Sequence, residues 1–424
     1  MGVFARIGAE RYSGIGSVSD TGFFSRLIGN GKTASGVVVS ENNALTMPAV
    51  YNAVGLIADA VAMLPADIYQ KRSTGSGSDE VKSHDLDYIL NVQPNPYMTA
   101  FTLRQTRMAH ELLWGNGYNE IERRGGGQCA GLWPLLPDRT NPDKPQGKDL
   151  RYKTTIDGTQ YWVNKDNVLH IPGMGFDGYV GYSPVSLMRQ AVGLGLAMET
   201  FGGKFFANDA KSGGFLMHPG KLGDKAQANL QSSEEKKSGL ENAHRIRILE
   251  EGMKFVTTTI PPEDAQFLGS RSFQIAEIAR MFRVPPILLS SMEKSTSWGS
   301  GIEQIMLGFL TWTLQPWITR EEQEMNLKLL TEAEREKGLF IKLNVNAIMR
   351  ADIKSRSAYY REGIAAGWLT RNEAREKENL NPLEGLDKPL EPLNMQPAGE
   401  NANDPGQDNP PPDFNDEEDE GDES

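Results

Sequence analysis

The chain has 424 residues, more than one ordinary hydrophobic core organises, so roughly two to four subdomains are expected. Its net charge of -12 is unevenly placed: the last basic residue is Lys388 and the whole acidic excess lies behind it, which leaves residues 1 to 388 formally neutral. A neutral body argues against tight gripping of nucleic acid by counterion release, and the one cysteine, Cys129, excludes an intrachain disulfide or a multi-cysteine zinc site. The N-terminus MGVFARIGAERYSG lacks the apolar core of a signal peptide, and no apolar run approaches the roughly 20 residues that span a bilayer, so a soluble chain in a reducing compartment is expected.

Residues 1 to about 40 are rich in Gly and Ser and read as a flexible segment, 1–41. Thr46 is placed to cap a helix with Pro48 in its first turn and Val50, Ala53, Val54, Ile57 and Val61 on its apolar face. A strand over 66–71, a short helix near 85–91, a Gln93-Pro94-Asn95-Pro96 turn and a helix over 100–114 follow. After Gly115-Asn116-Gly117 the pattern becomes strand-like, over 118–123, 131–136, 152–156, 160–163 and 168–171, with Asp157-Gly158 as a hairpin turn. These elements make a first α+β subdomain over 42–180.

The next helix, about 184–208, carries Ala191, Gly193, Gly195, Ala197, Gly202 and Gly203. Each glycine costs a helix up to about 1 kcal/mol, so the pattern implies close contact with neighbours. Residues 213–260 read as a strand, a polar helix and a hairpin turning at Glu251-Gly252. A second long helix opens after Pro261-Pro262, carries Glu263 and Asp264 at its positive end and stops at Pro285-Pro286. Leu268, Ile275, Ile278, Ala279 and Phe282 form its apolar side.

A loop over 289–301 follows, built from Ser290, Ser291, Glu293, Lys294, Ser295, Thr296 and Ser297, with Trp298 as its one large apolar residue. It ends at Ser300 and Glu303, the spacing of a capping box. The helix that starts there runs to Leu330 through Met306, Phe309, Leu310, Trp312, Leu314, Trp317 and Ile318, and Pro316 should kink it. Residues 340–348 form a strand candidate, 353–380 two helices broken at Gly367, and 391–424 an acidic tail with the composition of a disordered end.

No enzyme motif is complete. Gly31-Lys32-Thr33 suggests a phosphate loop, but Arg26 stands where that loop needs its first glycine. His110-Glu111 begins like a metalloprotease helix, but Trp114 occupies the place of the second histidine, which leaves His110 as a helix-surface residue. There is no Gly-x-Ser-x-Gly elbow, and the histidines are scattered at 84, 110, 170, 218 and 244. No cofactor, metal site or catalytic residue is therefore expected.

The order of elements, together with Thr46-Met-Pro-Ala-Val-Tyr51, 90–96 (LNVQPNP), Trp114-Gly-Asn-Gly-Tyr118, Gly181-Tyr-Ser-Pro184, Glu277-Ile-Ala-Arg280, Arg283-Val-Pro-Pro286 and 369–385 (LTRNEAREKENLNPLEG), resembles the portal proteins of tailed double-stranded DNA bacteriophages. The likeness spans about 40–390 and is nearest to phages with the Hong Kong-type capsid. It implies a ring of about twelve subunits around a DNA channel, at one capsid vertex of the virion, assembled in the host cytoplasm. Residues 42–180 would be the wing, 181–212 and 261–288 the stem, and 213–260 the clip. Residues 289–301 would be the tunnel loop facing DNA, 302–350 a kinked helix and wing strand, and 351–390 the crown.

Implied partners are double-stranded DNA, the terminase large subunit, the major capsid protein and scaffold, and a head-to-tail adaptor, with no membrane. Ala191, Gly193, Gly195, Ala197, Leu268, Ile275, Ile278 and Phe282 would pack the stem. The residues alone leave other readings open: the loop as an ordinary helix connection, and the chain as a nuclease or ATPase of the packaging machinery or as a minor capsid or adaptor protein without a channel. The acidic tail has no role in the family pattern.

Overall fold

The computed structural model describes residues 33–74, 77–145, 147–175, 177–207, 214–217, 253–257, 264–289, 300–345, 347, 353–378 and 380–390, with isolated positions 220, 223 and 225. The chain divides into two compact units, Met1–Ile348 and Met349–Ser424.

The first unit opens with α1 (Glu41–Ala44), closed by a capping box between Ser40 and Asn43. Residues 33–40, which composition assigns to a flexible segment, are folded: the Ala34 N–H donates to Gln190 and the Ser35 hydroxyl donates to the Gly193 carbonyl. In α2 (Pro48–Ala62) the N-cap is Met47, without a side-chain cap. Thr46 does not cap it, because its hydroxyl is already donated back to the Asn43 carbonyl at 2.7 Å. The expected apolar face is buried throughout, from Val50 to Val61.

Strand β1 (Ala66–Lys71) lies centrally between β2 (Ser78–Glu80) and a strand from the far end of the unit, β11 (Leu339–Leu343). Ile68 faces Ile341 in that antiparallel pair. Helices α3 (Asp85–Asn91) and α4 (Ala100–Trp114) follow, and α4 packs along α2 to form the middle of the core.

Two further three-stranded sheets then form. β3 (Asn116–Arg123) pairs on one side with β4 (Cys129–Leu135) and on the other with β8 (Val168–Pro172). β5 (Thr140–Asp143), β6 (Arg151–Ile156) and β7 (Thr159–Asn164) make a second meander. Asp157 and Gly158, at φ 49° and 79°, turn β6 into β7, and positive φ at both central residues is what a tight hairpin of this hand requires. Sequence patterning misses β2 and β5, which are short and rich in polar residues.

Next come α5 (Pro184–Leu187) and α6 (Arg189–Ala207), then the antiparallel pair β9 (Gly214–Met217) and β10 (Lys254–Thr257). The first strand of the expected 244–259 hairpin lies outside the described residues; β10 pairs with β9, which precedes it by some forty positions. α7 (Asp264–Phe282), α8 (Ser300–Phe309), a π-helical turn at Leu310–Leu314, α9 (Gln315–Lys328) and α10 (Glu332–Glu336) lead into β11. The interruption expected at Pro316 is thus a π-turn placed just before it, and the proline occupies the first turn of α9, where its missing N–H costs nothing.

The second unit contains α11 (Ile353–Ala365) and α12 (Arg371–Lys377), separated by Gly367 at φ 75°. Thr370 and Glu373 form a capping box on α12. The buried Asn372 then holds the following loop, accepting from the Leu383 N–H and donating to the Leu383 carbonyl and Asp387.

Candidate functional site

The two long helices α6 and α7 pack together, and α7 packs against α2. On α6, Ala191 and Ala197 are half-buried, while Gly193 and Gly195 are buried. A Cβ on Gly193 would lie 2.5 Å from Cγ2 of Thr33, and one on Gly195 would lie 2.4 Å from Cε of Met47. The close neighbour at each glycine is therefore this chain's own N-terminal segment. On α7, Ile278 and Phe282 are buried and Ile275 half-buried against the core, and Leu268 falls in the first half of the helix.

The end of α7 is closed by two backbone bonds, Val284 N–H to Ala279 O at 2.9 Å and Arg283 N–H to Arg280 O at 3.3 Å. This is the double-bonded C-cap that needs a left-handed residue, and here that residue is Arg283, at φ 56°. The helix therefore stops at Phe282, ahead of Pro285-Pro286. A 3-10 turn, Pro286–Leu289, then brings the buried Leu289 into the core. Ser290, Ser291, Glu293, Lys294, Ser295, Thr296, Ser297 and Trp298 lie outside the described residues.

Beyond that loop α8 starts at Ser300, within one residue of the position set by the capping spacing. The π-turn that follows carries the buried Thr313, whose hydroxyl donates to the Arg283 carbonyl at 2.6 Å. The extra residue of a π-turn rotates the side chains around it and leaves a carbonyl ladder out of step, which is how Thr313 comes to face the end of α7. One hydrogen bond thus ties the helices on either side of the loop.

Behind this hinge lies a charged cluster. Arg107 of α4 forms a two-pronged pair with Glu321 of α9 and donates to Asn119 at 2.9 Å, with all three side chains buried. Glu111, one turn along α4 and 3.6 Å from Arg107, accepts no hydrogen bond at either oxygen among the described residues. Burial, and then the negative Glu321, raise its carboxyl well above the usual range against the opposing pull of Arg107 and Arg320. Burial thus favours the neutral form of Glu111. Arg104 donates to the carbonyls of Leu64 and Leu90, and burial lowers its guanidinium to about 10.

The motif residues prove to be architectural. Gly115, at φ 76°, ends α4 so closely against the next segment that a Cβ would sit 2.1 Å from the Tyr182 carbonyl oxygen. Asn116 clasps Gly181 from both sides, accepting its N–H and donating to its carbonyl at 2.8 Å each. A Cβ on Gly117 would overlap Glu111 and Arg107 at 2.5 and 2.7 Å. Tyr118 stacks on His170 at 4.4 Å. His170 donates from Nε2 to Asn116 and accepts the Tyr152 hydroxyl at Nδ1, and burial lowers it to about 3, so it is neutral. Ser183 caps α5 and donates to Glu41 and to the Leu113 carbonyl. In the Pro94-Asn95 turn, the Pro94 carbonyl accepts from Leu132 N–H and Asn95 donates to the Leu132 carbonyl, extending the β4 edge.

His110 is not on the helix surface: it is largely buried edge-on against Trp114, and burial lowers it to about 4. Among the described residues no cluster of His, Cys, Asp and Glu is spaced to hold a metal ion, and no helix is long and apolar enough to cross a membrane. Patterning could have found one feature that it missed. Arg104, Arg107 and Glu111 fall on the same stripe of α4 as Leu103 and Met108, a charged band inside an apolar face.

A sequence model of the family described as "Phage portal protein" matches residues 48–379. The chain is 37% identical over 380 residues to the probable portal protein of Streptomyces phage phiC31, covering 87% of this chain and 82% of that protein. It is 34% identical over 355 residues to the portal protein of Enterobacteria phage HK97, covering 82% of each. Among solved structures it superposes on a chain from the neck of a native gene transfer agent particle computed with C12 symmetry, with a TM-score of 0.53 and 21% identity over 85% of this chain and 99% of that one. The chain belongs to the phage portal protein family. That family is structural rather than enzymatic, and its common role is to form the DNA channel of the virion.

Proposed function

We propose that the chain assembles as a closed ring of about twelve copies, with residues 289–301 of each copy directed toward a central DNA path. The observation that carries this reading is the Thr313–Arg283 bond, which ties together the two helices that flank that segment, whose sequence is rich in Ser and Thr and carries Lys294. Contacts of that kind are weak and exchangeable, as translocation requires, because tight phosphate binding would raise the barrier to each step. Residues 42–180 act as the wing, α6 and α7 as the stem, 213–260 as the clip and 351–390 as the crown. The clip meets the terminase large subunit during packaging and a head-to-tail adaptor afterwards, and the wing and crown meet the major capsid protein and scaffold in the host cytoplasm.

Deleting residues 291–298 tests this assignment. Rings should still form, since the buried ends of the segment remain, while packaging or retention of the genome is lost. Loss of the rings themselves, or full packaging without the loop, would overturn it.

A further inference from the structure

Helix α8 has a broad apolar face, with Glu303 and Gln304 on its polar side, yet of its described side chains only Phe309 is buried in the chain. Ile302, Met306 and Leu307 are exposed, and the π-turn that follows pushes Trp312 outward to 74% exposure, with no hydrogen bond to its indole among the described residues. The apolar face of an amphipathic helix is normally covered. Elsewhere on the same unit, α2, α6 and α7 border an open cavity of about 360 Å³ whose lining includes Met47, Met198, Ile275 and Leu289, with Glu199 and Arg271 among its polar members. Gln274 also lines it. That side chain is only 7% exposed, its amide has no partner among the described residues, and its oxygen is sealed from solvent. Such an orphan costs about 1–3 kcal/mol unless it is satisfied.

We propose that Trp312 of one copy seats in the Gln274 cavity of the next copy around the ring. The proposal rests on the ring reading above. A ring is a head-to-tail assembly, so each subunit must carry both halves of the contact, a knob on one flank and a hole on the other. The chemistry of the two halves is complementary. The indole N–H is a donor with no acceptor function, and the unsatisfied group in the cavity is an amide whose oxygen accepts, after rotation if needed. Thioethers and a leucine line the walls, a soft surface suited to an aromatic ring. Gly195 keeps the cavity open beside Met47, and the core contact of Leu289 makes its floor. The occupied cavity lies where residue 289 enters the tunnel-loop segment, so the neighbour's tryptophan would also brace that entry.

The full-length chain carrying both Trp312→Cys and Gln274→Cys, treated with a short bismaleimide, tests the contact directly. The expected result is a ladder of covalent dimers and higher oligomers on a denaturing gel, from preparations that show rings by electron microscopy. Neither single variant should give it, because Cys129 is buried. Trp312→Ala, a change at an exposed position that leaves the monomer fold intact, should raise the concentration needed for half-assembly at least tenfold, with Trp312→Phe in between. Rings that give no ladder, together with unchanged assembly of Trp312→Ala, would overturn the proposal. Absence of rings from the unaltered chain would instead remove the ring reading, and the proposal with it.

Discussion

Thr313 and Arg283 are thirty positions apart, yet the hydroxyl of one is bonded to the main-chain carbonyl of the other, across the mouth of the loop that joins their helices. Both residues are in conformations that cost energy. Thr313 sits in a π-turn and Arg283 is a non-glycine residue in the left-handed region. Two such irregularities meeting at one hydrogen bond define a hinge point between α7 and the α8–α9 rod.

Thr313→Val keeps the shape of the side chain and removes the donor, leaving the Arg283 carbonyl without this partner. Unfolding in urea should show a loss of about 1–2 kcal/mol. Arg283→Gly should act oppositely, gaining up to about 1 kcal/mol by relieving the left-handed backbone. A glycine variant less stable than the parent would show that the Arg283 side chain contributes more than its backbone costs.

The buried charges make a pH prediction. Burial raises the Glu111 carboxyl in the folded chain above its unfolded value, so it contributes stability below the unfolded pKa, which falls away as pH rises. The slope is at most about 1.4 kcal/mol per pH unit. Glu111→Gln, which mimics the protonated form, should match the parent near pH 4 and exceed its stability at pH 7. Parallel stability curves for the two proteins between those values would show that Glu111 is ionised in the fold.

Glu321 is the opposite case. It is the direct partner of Arg107, and its removal leaves a buried guanidinium with Asn119 and Glu111. Glu321→Ala should cost about 3–5 kcal/mol, measured by thermal or urea unfolding. A loss below 1 kcal/mol would mean that Glu111 ionises and replaces it.

Gly115→Ala and Gly117→Ala should both impair folding, through different contacts. At 115 the added methyl meets a rigid backbone carbonyl at a positive φ; at 117 it meets the movable side chains of Glu111 and Arg107. The loss should therefore be the greater at 115, as soluble yield and melting temperature would report. On α6, Gly193→Val should free residues 33–40, seen as faster amide exchange in that segment. Unchanged exchange there would leave contacts between copies as the reason for that glycine.

Much of this architecture was legible in the residues. The amphipathic face of α2, the ends of α4 and α7, the Asp157-Gly158 turn and the C-terminal helices all follow from local rules of capping, periodicity and turn chemistry. The illegible parts depend on distant partners. β11 pairs with a strand some 270 positions earlier, β2 and β5 are too short and polar to alternate, and Thr46 was drawn away from its cap by a nearer carbonyl. The charged stripe Arg104, Arg107, Glu111 was visible as a pattern, but its meaning required Glu321 from another helix. In the candidate site, the helices flanking the loop were readable and the π-turn was not, since Pro316 signals an interruption without saying on which side it falls.

The central claim is that this chain closes into a ring around a channel. Electron microscopy of the purified full-length protein tests it most directly. The account predicts annular particles with an open centre and about twelve-fold symmetry; a monomer at all concentrations, or a compact particle with no central opening, would contradict it.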